Sequence, residues 1–375
     1  MTDFHATKLR SVAFLVDGIG NPDAGTEGQV LDLIQGLQQQ DVSCLLLALQ
    51  PSRFLESAEV PCPVEILGHS RVGRATTWAE MWRHGRGLAR RGVQVAQTYM
   101  IDASLVGPPM LRLAGIPTLV SRRDLGYWYT AAYRSVLKIT SRSVAGYVCN
   151  SQAVARVTRE AEGVPVDRCH VIYNGLGERS ETNDSVPELQ SLKESGALII
   201  GLVANIRPIK RVEDIIDAVA LLPSSGQEVH VVIIGAGDAA PLRNRATAAG
   251  IGKRVHLLGS RSDVATCLQY VDVGALCSES EGFSNTLLEY MRAGIPSVCT
   301  DAGGNPEAIR HGETGFLYPV GDVQELGRAL QMLLEDPERR SEMGAMARVE
   351  AVERYSTEAM VHAHMDLYRR ILSGT

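Results

Sequence analysis

The 375-residue chain is poor in several things that would point to common functions. It has no apolar run near the roughly 20 residues that a bilayer span needs. The first such stretch, SVAFLV, stops at Asp17 and is also too short for a signal-peptide core, so a cytoplasmic location is expected. Its seven cysteines are scattered, odd in number and free of any C-x-x-C spacing, which excludes a disulfide scaffold and a cysteine metal site and suggests reduced, buried thiols. There is no D-x-D, no H-E-x-x-H and no Cys/His cluster at ligand spacing, so no metal is expected. Aromatics are only 5%, too few for an all-β sandwich, and a net charge of −6 gives no basic footprint for nucleic acid.

What is present is an alternation of short β-branched runs with amphipathic helical stretches. One series holds 11–17, 43–49, 93–99, 116–121 and 145–150; a second holds 197–205, 229–237, 254–260, 271–278 and 295–300. Such alternation is the sequence form of βαβ units with parallel sheets. The expected fold is α/β: two Rossmann-like doubly wound domains facing across a cleft. The expected boundaries are a first domain over 1–173, a polar linker over 174–190, a second domain over 191–352, and a terminal helix over 353–375 that packs back across the domains, with Ser356 as its N-cap. Charge divides unevenly along the chain. Residues 1–174 carry 18 basic and 15 acidic side chains, and residues 175–375 carry 19 and 28.

The segment 278–307, SESEGFSNTLLEYMRAGIPSVCTDAGGNPE, joins two strand ends to Gly-rich turns and a helix start. Backbone N–H groups at such turns suit a phosphate. Glu281 and Glu289 flank the turn and could each take sugar hydroxyls; alternatively Ser278 to Glu281 and Thr286 to Glu289 both fit a helix capping box.

This segment, with VIYNG (171–175), VANIRPIKRVEDII (203–216), VIIGAGD (232–238) and HLLGSRSDV (256–264), resembles the retaining glycosyltransferases of family four (group 1), which have the GT-B architecture. The resemblance is good over about 170–330 and weak before it. It implies a nucleotide-diphospho-sugar donor, UDP- or GDP-linked, as co-substrate with no other cofactor, and a glycan or lipid-linked acceptor bound by the first domain. It implies Glu281 on the donor sugar, Lys210 on the diphosphate, and Glu289 on the ribose. The amides of Gly282, Phe283, Leu287 and Leu288 would face sugar and phosphates, with Gly235, Ser260 and Arg261 completing the donor site.

The usual family arginine is replaced by Asn205, and Arg207 lies two residues on, within reach of the same diphosphate. In the first domain, DGIGNPDAGTEGQV keeps Gly25, Thr26 and Glu27 of the family's phosphate loop but has Ala24 for its first Gly. The strand end where many members carry a His reads Ser121, Arg122, Arg123, Asp124. Arg122 and Asp124 are assigned to the acceptor side, and no catalytic His is assigned. The implied activity is sugar transfer with retention of configuration, metal-independent, in polysaccharide or glycolipid synthesis. A sugar-nucleotide 2-epimerase of the same fold and a non-catalytic sugar-nucleotide binding subunit are the alternatives. Finally, 71–91 holds six arginines and one Glu, with Trp78, Met81, Trp82, Leu88 and Ala89 at helical spacing. It is either a core helix or a peripheral contact with the inner face of an anionic membrane, with Arg83, Arg86, Arg90 and Arg91 outward.

Overall fold

The computed structural model describes residues 8–22, 25–57, 59–68, 72–177, 185–223 and 227–374. The chain forms two compact units. One takes in the chain up to Gly175 together with the segment from Ser356 onward, and the other is Leu176–Tyr355.

The first unit carries seven strands, β1 (Ser11–Val16), β2 (Ser43–Ala48), β3 (Val64–Ile66), β4 (Val95–Thr98), β5 (Thr118–Arg122), β6 (Gly146–Cys149) and β7 (Cys169–Val171). Every pairing is parallel, in the order β3-β2-β1-β4-β5-β6-β7. The sheet is buried on both faces, which is why its strands are continuous apolar runs. Side chains alternate along a strand, so Val12, Phe14 and Val16 of β1 join one core while Ala13 and Leu15 join another. In β2, Cys44, Leu46 and Ala48 go to the first core, and Leu45 and Leu47 to the second. Burial pushes the Cys44 thiol up to about 12 and the Cys62 thiol up to about 11, so these cysteines behave as small apolar residues. All seven are free thiols.

The second unit has β8 (Leu198–Val203), β9 (Val229–Ile234), β10 (Val255–Gly259), β11 (Val273–Leu276), β12 (Ser297–Thr300) and β13 (Gly315–Tyr318), again all parallel, in the order β10-β9-β8-β11-β12-β13. The strands that periodicity did not mark are β3, β7 and β13, all at sheet edges and only three or four residues long. A run so short shows no alternation to read.

The terminal helix, Thr357–Ser373, is capped by Ser356, whose side chain accepts from Ala359 N at 3.2 Å. It buries Met360, Val361, Leu367 and Tyr368 in the first unit's core. Gly36 of the helix Gly25–Gln39 permits the approach, because a Cβ there would overlap Val361. The expected linker is shorter than 174–190. Gly175 is clamped by Gln29, whose Nε2 donates to its carbonyl at 2.6 Å and whose Oε1 accepts from its N–H at 3.0 Å. At the other end, Pro187 already begins the helix Pro187–Glu194, tied to the second unit by Lys193 on Asp272 at 2.8 Å. Residues 178–184 of that expected linker lie outside the described residues.

The helix Ala75–Arg90 settles the 71–91 stretch in part; Arg71 lies outside the described residues. Met81 and Leu88 are buried, and Trp78 packs against the same core while its Nε1 donates to Val72 O at 2.6 Å. Trp82 does not join them: it is 38% exposed with the Arg86 guanidinium 5.3 Å from its ring centre. Arg83, Arg86, Arg90 and Arg91 are exposed, Arg91 pairing with Glu65 at 2.6 Å. Among the described residues, no helix is long and apolar enough to cross a membrane.

Candidate functional site

In a doubly wound sheet the connections leave to opposite faces on either side of one point, and a crevice opens there at the carboxyl ends of the strands. That point lies between β1 and β4 in the first unit and between β8 and β11 in the second. Each holds a cluster of charged side chains.

In the second unit the chain leaving β8 is zipped to the Gly-rich turn after β9. Ile206 N donates to Ala236 O at 2.7 Å, and Ala236 N donates to Asn205 Oδ1 at 3.0 Å. Gly235 makes this contact possible: its φ is +157°, and a Cβ would overlap the Ala204 carbonyl. The residue at the family's arginine position thus serves as a loop brace. A short turn, Pro208–Lys210, follows, and Arg211 ends it in the left-handed region (φ +46°), braced on Asp214 at 2.8 Å. Glu279 N donates to Ile209 O at 2.8 Å, which joins this loop to the one after β11. The result is that Lys210 Nζ donates to Glu281 Oε1 at 2.6 Å, with both side chains mostly shielded from water. The Glu281 carbonyl accepts from Gly304 N at 3.1 Å, so the turn after β12 closes on the same point.

The helix Asn285–Arg292 is capped by Ser284, not by Ser278 or Thr286. Thr286 Oγ1 instead donates to Val203 O at 3.1 Å, and Tyr290 Oη, fully buried, donates to Gly201 O and accepts from Val203 N, both at 2.9 Å. These bonds fasten the helix to the end of β8 and leave neither expected capping box in place. Glu281 and Glu289 are therefore not cap residues. The amides of Leu287 and Leu288 lie 3.4 Å from the side-chain and main-chain oxygens of Ser284, respectively. Arg261 is held by both oxygens of Asp263, at 2.8 and 2.5 Å. Of the others, Gly282 is half-buried before the cap, Phe283 is buried against Tyr355, Glu289 is half-exposed in the helix, and Ser260 and Arg207 are exposed.

In the first unit a cavity of about 250 Å³ opens at the switch point, lined by Asp17 after β1, Met100 and Ile101 after β4, and Ser121 to Asp124 after β5, with Thr26, Tyr127 and Trp128. Asp17 accepts from Ala103 N at 2.6 Å and from Asp102 N at 3.3 Å, at the start of the helix Ile101–Leu113. Burial, with the Asp102 charge adding to it, pushes its carboxyl up to about 6 despite those bonds. Met100 is strained, at φ +67° and ψ −177°. Glu27 folds back on the preceding loop, accepting from Asn21 N at 2.8 Å and Gly20 N at 3.2 Å. Gly25 and Thr26 open the helix Gly25–Gln39; Asp23 and Ala24 lie outside the described residues.

Arg122, expected on the acceptor side, lines this cavity, but its charge is already taken up. Its guanidinium is buried on Glu162, at 2.6 and 3.2 Å, and Glu162 also accepts from Tyr129 Oη at 2.5 Å. Burial works against the charge, but Glu162 holds the guanidinium's pKa above its ordinary value. Asp124 is likewise occupied, accepting from Gly126 N at 2.7 Å and Trp128 Nε1 at 3.0 Å. Asp17, Met100 and Arg123 were missed as site residues. The signal that could have found Arg123 is strand alternation: neighbouring arginines at a strand end cannot share a face.

The raised Asp17 carboxyl has a consequence for stability. The folded state holds this proton more tightly than an unfolded chain, whose aspartate titrates near 3.8. Stability from this group is therefore lost as pH rises from about 4 to about 6. In Asp17→Asn that loss is expected to disappear. Urea midpoints at pH 4 and pH 7 check it, and an equal change in both proteins would refute the assignment.

Among the described residues, no three His, Cys, Asp or Glu side chains gather to hold a metal ion. The family description "Glycosyl transferases group 1" matches residues 188–350, and "Glycosyltransferase Family 4" matches residues 24–177. The chain is 32% identical to the N-acetyl-alpha-D-glucosaminyl L-malate synthase of Bacillus anthracis over 54% of its own length, and 32% identical to the D-inositol 3-phosphate glycosyltransferase of Corynebacterium efficiens, also over 54%. These matches span about half the length of the relatives, 53% and 51%. Among solved structures, Anabaena HepE in complex with UDP superposes with a TM-score of 0.81 at 22% identity, covering 97% of this chain and all of HepE. The same protein with UDP-glucose gives 0.80 at 23% identity, again with 97% and 100% covered. The fold is thus that of the GT-B glycosyltransferases.

Proposed function

Because the chain belongs to the group 1, family 4 glycosyltransferases, we propose that it moves a sugar from a UDP- or GDP-linked donor to a hydroxyl acceptor, with retention of configuration and without a metal, in polysaccharide or glycolipid synthesis. The observation that carries this reading is the Lys210–Glu281 pair at the switch point of the second unit. Negative charge gathers on the diphosphate as the bond from the anomeric carbon to the phosphate oxygen breaks. A fixed cation is most effective against charge that develops in this way. An ammonium has three donors, so Lys210 can keep Glu281 and still turn two toward a phosphate. On this reading Glu281, oriented by that bond, takes hydroxyls of the donor sugar, and Glu289 those of the ribose. Arg207, exposed on the same loop, supplies a second cation. As the acceptor oxygen bonds to the anomeric carbon on the face the phosphate leaves, the acceptor's proton passes to the departing phosphate oxygen.

The HepE complexes make UDP and UDP-glucose the first ligands to try. The test is titration of UDP into the chain and into Glu289→Ala in EDTA, with melting temperatures measured alongside and UDP-glucose hydrolysis followed in the same buffer. Affinity is expected to fall in the variant with little change in melting, and hydrolysis to persist. A fall in melting with affinity unchanged would remove Glu289 from the nucleotide site. Hydrolysis abolished by EDTA and restored by Mg²⁺ would remove the metal-free mechanism.

Peripheral membrane contact belongs to the same reading. Trp82, with Arg83, Arg86 and Arg90, gives the helix Ala75–Arg90 an outer face suited to anionic headgroups. Co-sedimentation with anionic vesicles is expected at low salt and release at raised salt. No binding at low salt would leave a freely diffusing acceptor.

A further inference from the structure

Arg122 and Arg123 are neighbours in sequence with opposite surroundings. Arg122, although it also lines the cavity, is buried and neutralised by Glu162. Arg123 lines the first unit's cavity and lies half-buried in its wall. Of the five donors a guanidinium offers, one reaches Asn174 Oδ1 at 2.6 Å, and the group sits 6.0 Å from the Tyr99 ring centre. Among the described residues no carboxylate pairs with it, and burial pushes its pKa down from the ordinary value. The carboxylates on the same cavity do not supply the missing charge. Asp17 is taken up by the amides of Ala103 and Asp102, and Asp124 by Gly126 N and the Trp128 indole.

A cation withdrawn from water without a counterion is costly, and chains rarely keep one that nothing uses. The strained Met100 stands on the same cavity, and backbone strain of this kind is retained where a ligand is gripped. Resting on the reading of this chain as a glycosyltransferase, we propose that Arg123 anchors an anionic group, a carboxylate or a phosphate monoester, on a substrate that enters the first unit's cavity. The planar guanidinium matches either group with two parallel hydrogen bonds. The Asn174 bond, with the Tyr99 ring 6.0 Å away, holds the fork in place. The anion can be carried by the acceptor or by the transferred sugar, and the two sources are separable.

The test uses the full chain and Arg123→Gln, with inorganic phosphate and free glucuronate as anionic probes and glucose as the neutral control, all at constant ionic strength. Calorimetric titration is expected to show saturable binding of one or both anions to the unaltered chain, weakened about tenfold or more in Arg123→Gln, and partly restored in Arg123→Lys. Glucose binding is expected to be the same in all three. The melting temperature of Arg123→Gln is expected to equal or exceed that of the unaltered chain, since an uncompensated charge has been removed. If UDP-glucuronate binds more tightly than UDP-glucose and Arg123→Gln erases the difference, the anion rides on the donor sugar. If the two donors bind alike while the phosphate site is lost in the variant, it rides on the acceptor. Anion binding that is absent, or equal in Arg123→Gln, overturns the proposal, as does a lower melting temperature of that variant. UDP binding, measured in the same samples, reports separately on the transferase reading. Its loss would sink that reading, while the phosphate arm speaks only for Arg123.

Discussion

Lys210→Ala is expected to lower donor turnover by about 10- to 150-fold, the worth of one charge-assisted hydrogen bond of about 1.5–3 kcal/mol. The loss grows if the contact tightens as the leaving group departs. The loop that carries Lys210 is held by bonds the substitution does not touch: Ile206 N to Ala236 O, Glu279 N to Ile209 O, and Arg211 to Asp214. The variant should therefore fold. Its secondary effect falls on Glu281, which loses the donor that orients it at 2.6 Å. A double-mutant cycle with Glu281→Gln separates the two. If Lys210 acts only through Glu281, its removal costs little in the Glu281→Gln background; if it meets the diphosphate, most of the loss remains. An unchanged rate constant for hydrolysis of the donor, at saturating concentration, would take Lys210 out of the chemistry.

The largest effect on stability is expected at Glu162, a residue with no part in that chemistry. Its carboxylate is fully buried and serves Arg122 twice and Tyr129 once. Glu162→Met leaves the Arg122 guanidinium in the core without a counterion. Breaking a buried pair from one side costs about 3–5 kcal/mol, although replacing the whole pair by apolar groups is often neutral. For a unit of this size each kcal/mol is worth about 2–4 °C, so the melting transition of the first unit should fall by roughly 6–20 °C. The double variant Arg122→Met with Glu162→Met should recover most of that. Calorimetry on the single and double variants measures both. A single variant that melts with the unaltered chain would mean that water reaches Arg122.

Much of this fold was legible because a parallel sheet buried on both faces has to be written in apolar runs. SVAFLV and SCLLLA could hardly be anything else, and their alternate residues feed two cores. Part of the second unit's candidate site was legible for a related reason: Lys210 and Glu281 lie on the turns after β8 and β11, and Glu289 in the helix that follows, and the glycine and cap that shape these turns, Gly235 and Ser284, are fixed by backbone geometry. What stayed hidden depends on distances through space. Nothing local in SRRD says that Glu162, forty residues on, will neutralise the first arginine and leave the second. Nothing around Asp17 says that the helix beginning at Ile101 will deliver its amides to that carboxylate. Ser284 capped the helix in place of Thr286 because Thr286 found the end of β8, a partner more than eighty residues away.

The first unit is assembled from both ends of this sequence, and that sets an order of events on the ribosome. Met360, Val361, Met365, Leu367 and Tyr368 belong to the same core as β1 and β2. Leu176–Tyr355 has all its strands once Tyr318 has emerged, and the buried core around its sheet is complete once Met343 has, still ahead of Thr357. The first unit, although its seven strands are made earlier, waits with an open face until the helix Thr357–Ser373 is synthesised. Domains made first usually fold first; here the part made first finishes last. During that interval the apolar side of the helix Gly25–Gln39 that later receives Val361 is the surface a chaperone would have to guard.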